Sequence, residues 1–375
     1  MLPFRQYHLF QIFAILKRDS APLDLIISRY FREHRALGSK DRKKIAEILY
    51  HLVRWSGLFD YFITDKKDWE GRFEVYQKIN LEEKIKDQSI PLHIRTSFPK
   101  ILLKRWIDSY GETKAEELAL KSNERAPITL RVNALKTSRE KFLKRFEDQI
   151  EMEACQRAPY AINVLKRISL FQLEAFKNGY FEMQDEASQL IANLVKVQPK
   201  EKVLDYCSGS GGKSLAIAPQ MQNQGVLYLH DIRPGILVQA KKRLKRAGVQ
   251  NAQICSSTDP NLQALKGNMD WVLVDAPCSG SGTYRRNPDL KWKFSEKMLE
   301  ELINLQREIV KKALPYLKPN GHLVYATCSL FEEENEEQVK FFLKNHSLEL
   351  SEEVFSTAPT SNQMDGFFGA VFSVK

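Results

Sequence analysis

Apolar positions change their period twice along the 375-residue chain. Leu9, Phe10, Ile12, Phe13, Leu16 and then Ile45, Ile48, Leu49, Leu52, Val53 recur at i, i+3, i+4, i+7, the spacing of one buried helix face. Pro22, Gly38, Gly57 and Pro91 break this pattern into segments, with Ser39 expected to cap the second and Asp41 in its first turn. Near Ala126-Pro127 the period shortens: Ile128–Asn133 alternates like a strand, and Ser138–Ile150 returns to helical spacing. From about residue 181 strands and helices alternate. Strands are expected at 202–208, 226–231, 252–257, 270–277 and 321–329, helices at 213–221, 235–247, 295–316 and 334–344, and two tail strands at 348–352 and 366–374. The expected fold is multidomain: residues 1–120 all-α, 121–180 a small basic α/β linker, and 181–375 an α/β, Rossmann-like domain with a seven-stranded sheet. The acidic run Glu332–Glu337 falls at a helix start, where the helix dipole accounts for it.

Charge sharpens this division. Of the net +10, residues 1–200 carry 36 Lys+Arg against 27 Asp+Glu, and residues 201–375 carry 21 against 20. A basic front half joined to a near-neutral back half suggests a polyanion-binding platform. Arg131, Lys136, Arg139, Lys141, Lys144 and Arg145 concentrate that charge in the linker, as a solvated face or as phosphate contacts. The five cysteines, Cys155, Cys207, Cys255, Cys278 and Cys328, form no C-x-x-C pair, which argues against a disulfide framework or a metal site. No apolar run reaches the ~18–20 residues of a membrane span. The N-terminus lacks the pattern of a secretory signal, so a reduced, cytoplasmic protein is expected.

The Rossmann-like half holds the chemistry. Val203–Ser214 reads as a strand, a glycine-rich turn and a helix start, where a ligand can approach the backbone closely. Gly212-Lys213-Ser214 fits the end of a P-loop, but Cys207 occupies the place of its leading glycine; Gly209-x-Gly211 lacks the third glycine of a dinucleotide fingerprint. Asp231, at the end of the second strand, can accept both ribose hydroxyls of an adenosine group. Asp259, past the third strand, could take an adenine amino group or be a plain loop residue. Cys207, Ser208, Gly209, Ser210, Gly211, Gly212, Lys213, Asp231, Asp259 and Asp275 are the expected cofactor-binding residues.

Two further motifs, Asp275-Ala-Pro-Cys278-Ser-Gly and Ala326-Thr-Cys328-Ser, each follow an apolar run that reads as a buried parallel strand. If those strands are neighbours, two thiols and a carboxylate meet above the carboxyl edge of one sheet. That set suits methylation of a pyrimidine carbon. A thiolate adding to C6 makes C5 nucleophilic, an acid near N3 stabilises the developing charge, and a base removes the C5 proton. Cys328, Cys278 and Asp275 can fill these roles, and the chemistry alone does not order the cysteines. Cys155 and Cys255 read as buried core residues.

At these residues the sequence resembles the RsmB/NSUN (Sun/Fmu) family of S-adenosylmethionine-dependent RNA cytosine-5 methyltransferases. The resemblance runs through Met183-Gln-Asp-Glu-Ala-Ser-Gln189, Asp205–Ser214, Asp275–Thr283, Arg285-Arg-Asn-Pro-Asp-Leu-Lys-Trp292, Tyr325–Ser329, Glu333-Glu-Asn335 and Asp365-Gly-Phe-Phe368. It implies S-adenosylmethionine as cofactor, Cys328 as nucleophile and Cys278 as the residue that assists release. The family's turn usually reads Cys-Ala-Ala-Pro-Gly-Gly-Lys-Thr; here Ser210 stands in the proline's place. Leu37-Gly-Ser-Lys-Asp-Arg42 and Leu49–Trp55 resemble the NusB-like RNA-binding domain of the ribosomal branch. That implies 16S rRNA as partner, a bacterial enzyme of rRNA processing, and 5-methylcytosine as product, from a monomer without metal. The alternatives are a non-catalytic ribosome-assembly factor on the same scaffold and an enzyme for another RNA such as tRNA. An amino-group methyltransferase would carry Asn/Asp-Pro-Pro-aromatic where Asp275-Ala-Pro-Cys stands.

Overall fold

The computed structural model describes residues 3–256, 260–360 and 363–375. It divides into two compact units, one of residues 1–125 with 283–295, the other of residues 126–282 with 296–375. In the first, helices Phe4–Leu16, Leu23–Glu33, Ser39–Arg54, Trp69–Lys78, Lys100–Tyr110 and Glu112–Ser122 carry most of the residues. Leu9, Ile12, Phe13, Ile45, Leu49, Leu52 and Val53 form the core that their spacing predicts, joined by Ile26, Tyr30 and Phe73, while Phe10, Leu16 and Ile48 are only partly buried against it. Ser39 is the first helical residue and Gly38 holds the cap position, so the expected serine cap is corrected. Residues 283–295 belong to this helical unit although motif residues flank them on the other side. Lys291, 1% exposed, donates to Arg54 O (2.8 Å) and Asn123 Oδ1 (2.6 Å), and Trp292 Nε1 donates to Val53 O (2.8 Å). Burial, with Arg54 nearby, holds the Lys291 ammonium well below its ordinary range.

The second unit contains two sheets. Strands β1 (Ile128–Val132), β2 (Met152–Ala154), β3 (Ala161–Val164) and β4 (Phe181–Met183) form an antiparallel sheet in the order β2-β3-β1-β4. Helix Arg139–Phe146, capped by Ser138 Oγ, seals its apolar face with Phe142 and Phe146. The helix Glu186–Ala192 is tied to this sheet: Gln189 Nε2 donates to Leu130 O (3.3 Å), and Glu186 accepts from Arg157 N and Ala158 N (2.9 Å each).

The larger sheet is built from β5 (Lys202–Asp205), β6 (Val226–Asp231), β7 (Ala252–Ser256), β8 (Met269–Asp275), β9 (Leu317–Thr327), β10 (Leu348–Leu350), β11 (Phe355–Ser356) and β12 (Phe368–Val374). Seven of these run in the order β10-β12-β9-β8-β5-β6-β7, and β11 pairs beside β12. The described sheet thus has eight strands where the pattern suggests seven, because a two-residue strand is too short to produce an alternation. The strands β5–β9 are parallel, and β12 lies antiparallel on β9. Alternate residues feed two cores: Leu204, Val272, Val274, Leu323 and Tyr325 on one face, Val203, Leu227, Leu273 and Val324 on the other. Strand order reverses between β5 and β8, and a doubly wound sheet leaves a crevice there at its carboxyl edge.

Candidate functional site

The candidate site lies within the second unit, at the carboxyl ends of β5, β6, β8 and β9. Because β8 and β9 are parallel neighbours with Asp275 opposite Ala326, the loops that follow them run side by side. Cys278 Sγ and Cys328 Sγ stand 3.3 Å apart, and Cys328 N donates to Cys278 Sγ at 3.3 Å. The hydrogen bond and charge of Cys328, then burial, push the Cys278 thiol well up, and Glu334 adds to this. Asp275 accepts from Lys213 Nζ at 2.5 Å. Burial works against the Lys213 charge, but Asp275 and Cys328 outweigh it and hold the ammonium above its ordinary range.

A buried polar network fixes both loops. Glu334, fully buried, accepts from Ser279 N (2.9 Å), Ser279 Oγ (2.5 Å) and Gln306 Nε2 (2.9 Å), and burial raises its carboxyl above the usual range. Ser281 and Ser329 hydroxyls lie 3.1 Å apart, Gln306 Nε2 also donates to Pro277 O (3.0 Å), and Tyr325 Oη donates to Glu334 O (2.7 Å). Sequence reasoning missed this role for Glu334. Only Glu336 and Glu337 of the acidic run sit in the first turn of the following helix, so the dipole explanation is corrected for Glu334. Its signal was an acidic run close behind a Cys-Ser pair. The Asp365–Phe368 motif is positioned by close backbone approach: Gly366 N donates to Gly282 O (2.9 Å), and a Cβ on Gly282 would come within 2.1 Å of Gly366 O.

The other half of the site is the turn after β5. Gly209 and Gly211 adopt φ of 52° and 79°, and Gly211 N donates to Ser208 O (2.8 Å). A Cβ built on Gly209 or Gly212 meets nothing within 4 Å, so this backbone faces open space. Gly209 N donates to Asp231 Oδ2 (3.0 Å), which brings the ends of β5 and β6 together. Burial raises the Asp231 carboxyl, but hydrogen bonds from Arg233 dominate and hold it below its usual range. Asp205, which sequence reasoning did not single out, accepts from Ser214 Oγ (2.6 Å), and burial pushes its carboxyl up to about 7. Its Oδ1 and the buried Ser208 Oγ have no hydrogen-bond partner among the described residues. Orphaned acceptors beside an exposed glycine backbone fit a ligand that brings its own donors. Cys207 flanks this turn, half-buried, with its thiol pushed up by burial and by Asp205. Asp259 lies outside the described residues.

Three of the linker's basic residues bond to backbone carbonyls of the fold, Arg131 from a buried position, Arg139 from a half-buried one and Lys136 from an exposed one. Arg131 is buried and donates to Gly212 O (2.8 Å) and to Gln184; Lys136 donates to Asn178 O (2.6 Å) and Arg246 O (2.9 Å); Arg139 donates to Cys155 O (3.0 Å). Lys141, Lys144 and Arg145 remain exposed. Burial, reinforced by Arg243, lowers the Arg131 guanidinium to about 9 against the pull of Glu182. Among the described residues there is no cluster that could hold a metal ion, and no helix is long and apolar enough to cross a membrane.

Residues 192–373 match the family model described as 16S rRNA methyltransferase RsmB/F, and residues 98–170 match the ferredoxin-like domain of RsmF/B-like methyltransferases. The chain is 33% identical over 307 residues to ribosomal RNA small subunit methyltransferase B of Proteus mirabilis, covering 81% of this chain and 71% of that protein. The chain belongs to the RsmB/F family. It is also 32% identical over 295 residues to a probable member from Synechocystis, covering 77% of this chain and 66% of that protein. It thus spans about two thirds of the length of such curated relatives. A methyltransferase homologue from Pyrococcus horikoshii superposes with a TM-score of 0.68 at 27% identity, covering 76% of this chain and 98% of that one. The structure titled PH0851 shares the fold over 99% of both chains, with a TM-score of 0.81 and 23% identity.

Proposed function

We propose that this protein transfers a methyl group from S-adenosylmethionine to carbon 5 of a cytosine in small-subunit ribosomal RNA. The observation that carries this is the pair of thiols 3.3 Å apart at the ends of adjacent parallel strands, with the Lys213–Asp275 ion pair beside them. The glycine turn, Asp205, Ser208 and Asp231 would hold the cofactor, which supplies an electrophilic methyl group on a sulfonium.

The chain's own groups divide the remaining work. Cys328, after losing its thiol proton to solvent, would bond through sulfur to C6, which shifts the C5=C6 electrons toward N3 and makes C5 the nucleophile; a cofactor bound at the turn would supply the methyl group as its methyl–sulfur bond breaks. The Lys213 proton lies at hydrogen-bonding distance from Asp275, and its passage through Asp275 to N3 would neutralise the charge that develops there. Cys278, 3.3 Å from Cys328, would act as base after giving its own proton to solvent. It removes the C5 proton, the C5=C6 bond reforms and the Cys328 thiolate leaves. The helical unit, NusB-like by resemblance, and the exposed Lys141, Lys144 and Arg145 would hold RNA phosphates while the base is swung out of its stack.

The test is denaturing electrophoresis of Cys278→Ala incubated with S-adenosylmethionine and small-subunit rRNA. A covalent protein–RNA band that vanishes in Cys278→Ala/Cys328→Ala is expected. Substantial product from Cys328→Ala would overturn the assignment.

A further inference from the structure

Ser210 stands where the family's turn usually carries proline. Proline would fix φ and remove freedom from the turn. Here two arginines approach the turn from behind. Arg243, on the helix Pro234–Ala247, donates through Nη1 to Ser210 O (2.9 Å) and Ser210 Oγ (2.7 Å). Its Nε and Nη2 donate to Glu182 Oε2 at 3.2 and 3.1 Å, which fixes the plane of the guanidinium. Glu182 lies on β4, is 4% exposed, and takes Arg246 on its other oxygen. One residue pair further on, Gly212 O accepts from Arg131 Nη1 (2.8 Å) and from Gln184 Nε2 (3.3 Å). The carbonyls of residues 210 and 212 are thus drawn backward while Gly209 and Gly212 present backbone to open space on the other side. A carbonyl bound to a cation polarises its peptide, and the positive charge behind the turn favours negative charge in front of it.

We propose that Arg243 is a positioning residue that supplies, through Ser210, the rigidity a proline would otherwise give, so that the turn is preformed to receive S-adenosylmethionine. This rests on the turn being the cofactor site, and the experiment separates the two. Hydrogen–deuterium exchange of residues 208–213 is measured without ligand, and S-adenosylmethionine affinity by calorimetry, in the full-length protein. Arg243→Met keeps the apolar stem and leaves Glu182 paired with Arg246. It is expected to speed exchange in the turn and to weaken binding about tenfold, with an unchanged melting temperature. Ser210→Ala, which removes only the Oγ acceptor, should weaken binding about two- to threefold and add little in the Arg243→Met background. Ser210→Pro placed in Arg243→Met should recover slow exchange and most of the affinity. Unchanged exchange and affinity in Arg243→Met would overturn the proposal, as would faster exchange spread evenly over the whole sheet. A wild-type protein that does not bind S-adenosylmethionine would sink the functional assignment, while the exchange data would still decide the role of Arg243.

Discussion

The two halves of the candidate site are held by opposite means. At the ends of β8 and β9, buried side chains bond to one another: Glu334 spans Ser279 and Gln306, and the Ser279, Ser281 and Ser329 hydroxyls close the gap between the loops. At the end of β5, Gly209 and Gly212 present bare backbone to open space, and the fixing contacts come from Arg131 and Arg243. A nucleophile and its partner must keep their separation to within a fraction of an ångström, which a satisfied polar network provides. A ligand cradle must instead leave donors and acceptors unspent, as Asp205 Oδ1 and Ser208 Oγ are. One half maximises internal contacts; the other sacrifices stability to stay receptive.

The largest expected effect tests the rigid half. Cys328→Ala should reduce methyl transfer to below about one thousandth of wild type, because it removes the sulfur that the proposed mechanism bonds to C6. Its melting temperature should stay close to wild type, as the side chain is only partly buried. A melting temperature far below wild type would make Cys328 part of the packing rather than a poised thiol.

Asp205 tests whether the receptive half is strained. Its carboxyl is raised to about 7 in the fold from an ordinary 3.8, chiefly by burial. The native state therefore binds more protons than the unfolded chain between these values, and stability falls as pH rises through that window. The contribution is present in full below about pH 4 and lost above about pH 7, a change of up to about 4 kcal/mol. Urea unfolding at pH 4.5 and 8 should show this loss in wild type and not in Asp205→Asn. Parallel pH profiles for the two proteins would remove Asp205 as the source of strain.

Glu334 probes the rigid half from the other direction. Glu334→Ala strands the Ser279 and Gln306 donors in the interior and should cost about 2–4 kcal/mol in urea unfolding. It should also slow cross-linking of Cys278 to Cys328 by a short bifunctional thiol reagent. Glu334→Gln keeps the acceptor for Ser279 N and Gln306 and should restore most of the cross-linking. Cross-linking by Glu334→Ala at the wild-type rate would mean that the network does not set the thiol separation.

The same division governs what the sequence made visible. Candidate site residues at strand ends stand out, because a strand has a period and its end is marked: Asp231, Asp275, Cys278 and Cys328 all lie within three residues of where β6, β8 and β9 stop. Contacts between remote segments leave no such mark. Arg131 and Arg243 are separated by more than a hundred residues, yet both reach the turn at Ser210–Gly212. In sequence Arg131 is one more cation in a basic stretch, which is why it read as part of a solvated face or a phosphate contact. The membership of residues 283–295 in the helical unit was hidden for the same reason, since Lys291 looks like a surface lysine until Asn123 and Arg54 are placed around it. Glu334 was hidden inside a run of like residues, with nothing in the run to set it apart.

The smallest effect is the most selective. Gly212 has an ordinary φ, and a methyl group added to it touches no atom of the protein within 4 Å. Alanine loses less backbone entropy on folding than glycine, so Gly212→Ala should leave stability unchanged or raise it by up to about 1 kcal/mol. The added methyl projects into the space where a ligand would lie, and S-adenosylmethionine affinity should fall about tenfold. Gly211→Ala is the contrasting control: its φ of 79° and the contacts of a Cβ with Leu229 (3.3 Å) and Ala240 (3.4 Å) should cost stability outright. Opposite signs on stability and affinity in Gly212→Ala would show that this glycine serves a ligand rather than the fold. Loss of both together would place Gly212 with the rigid half, and the contrast between the two halves would fail at the residue where it is easiest to see.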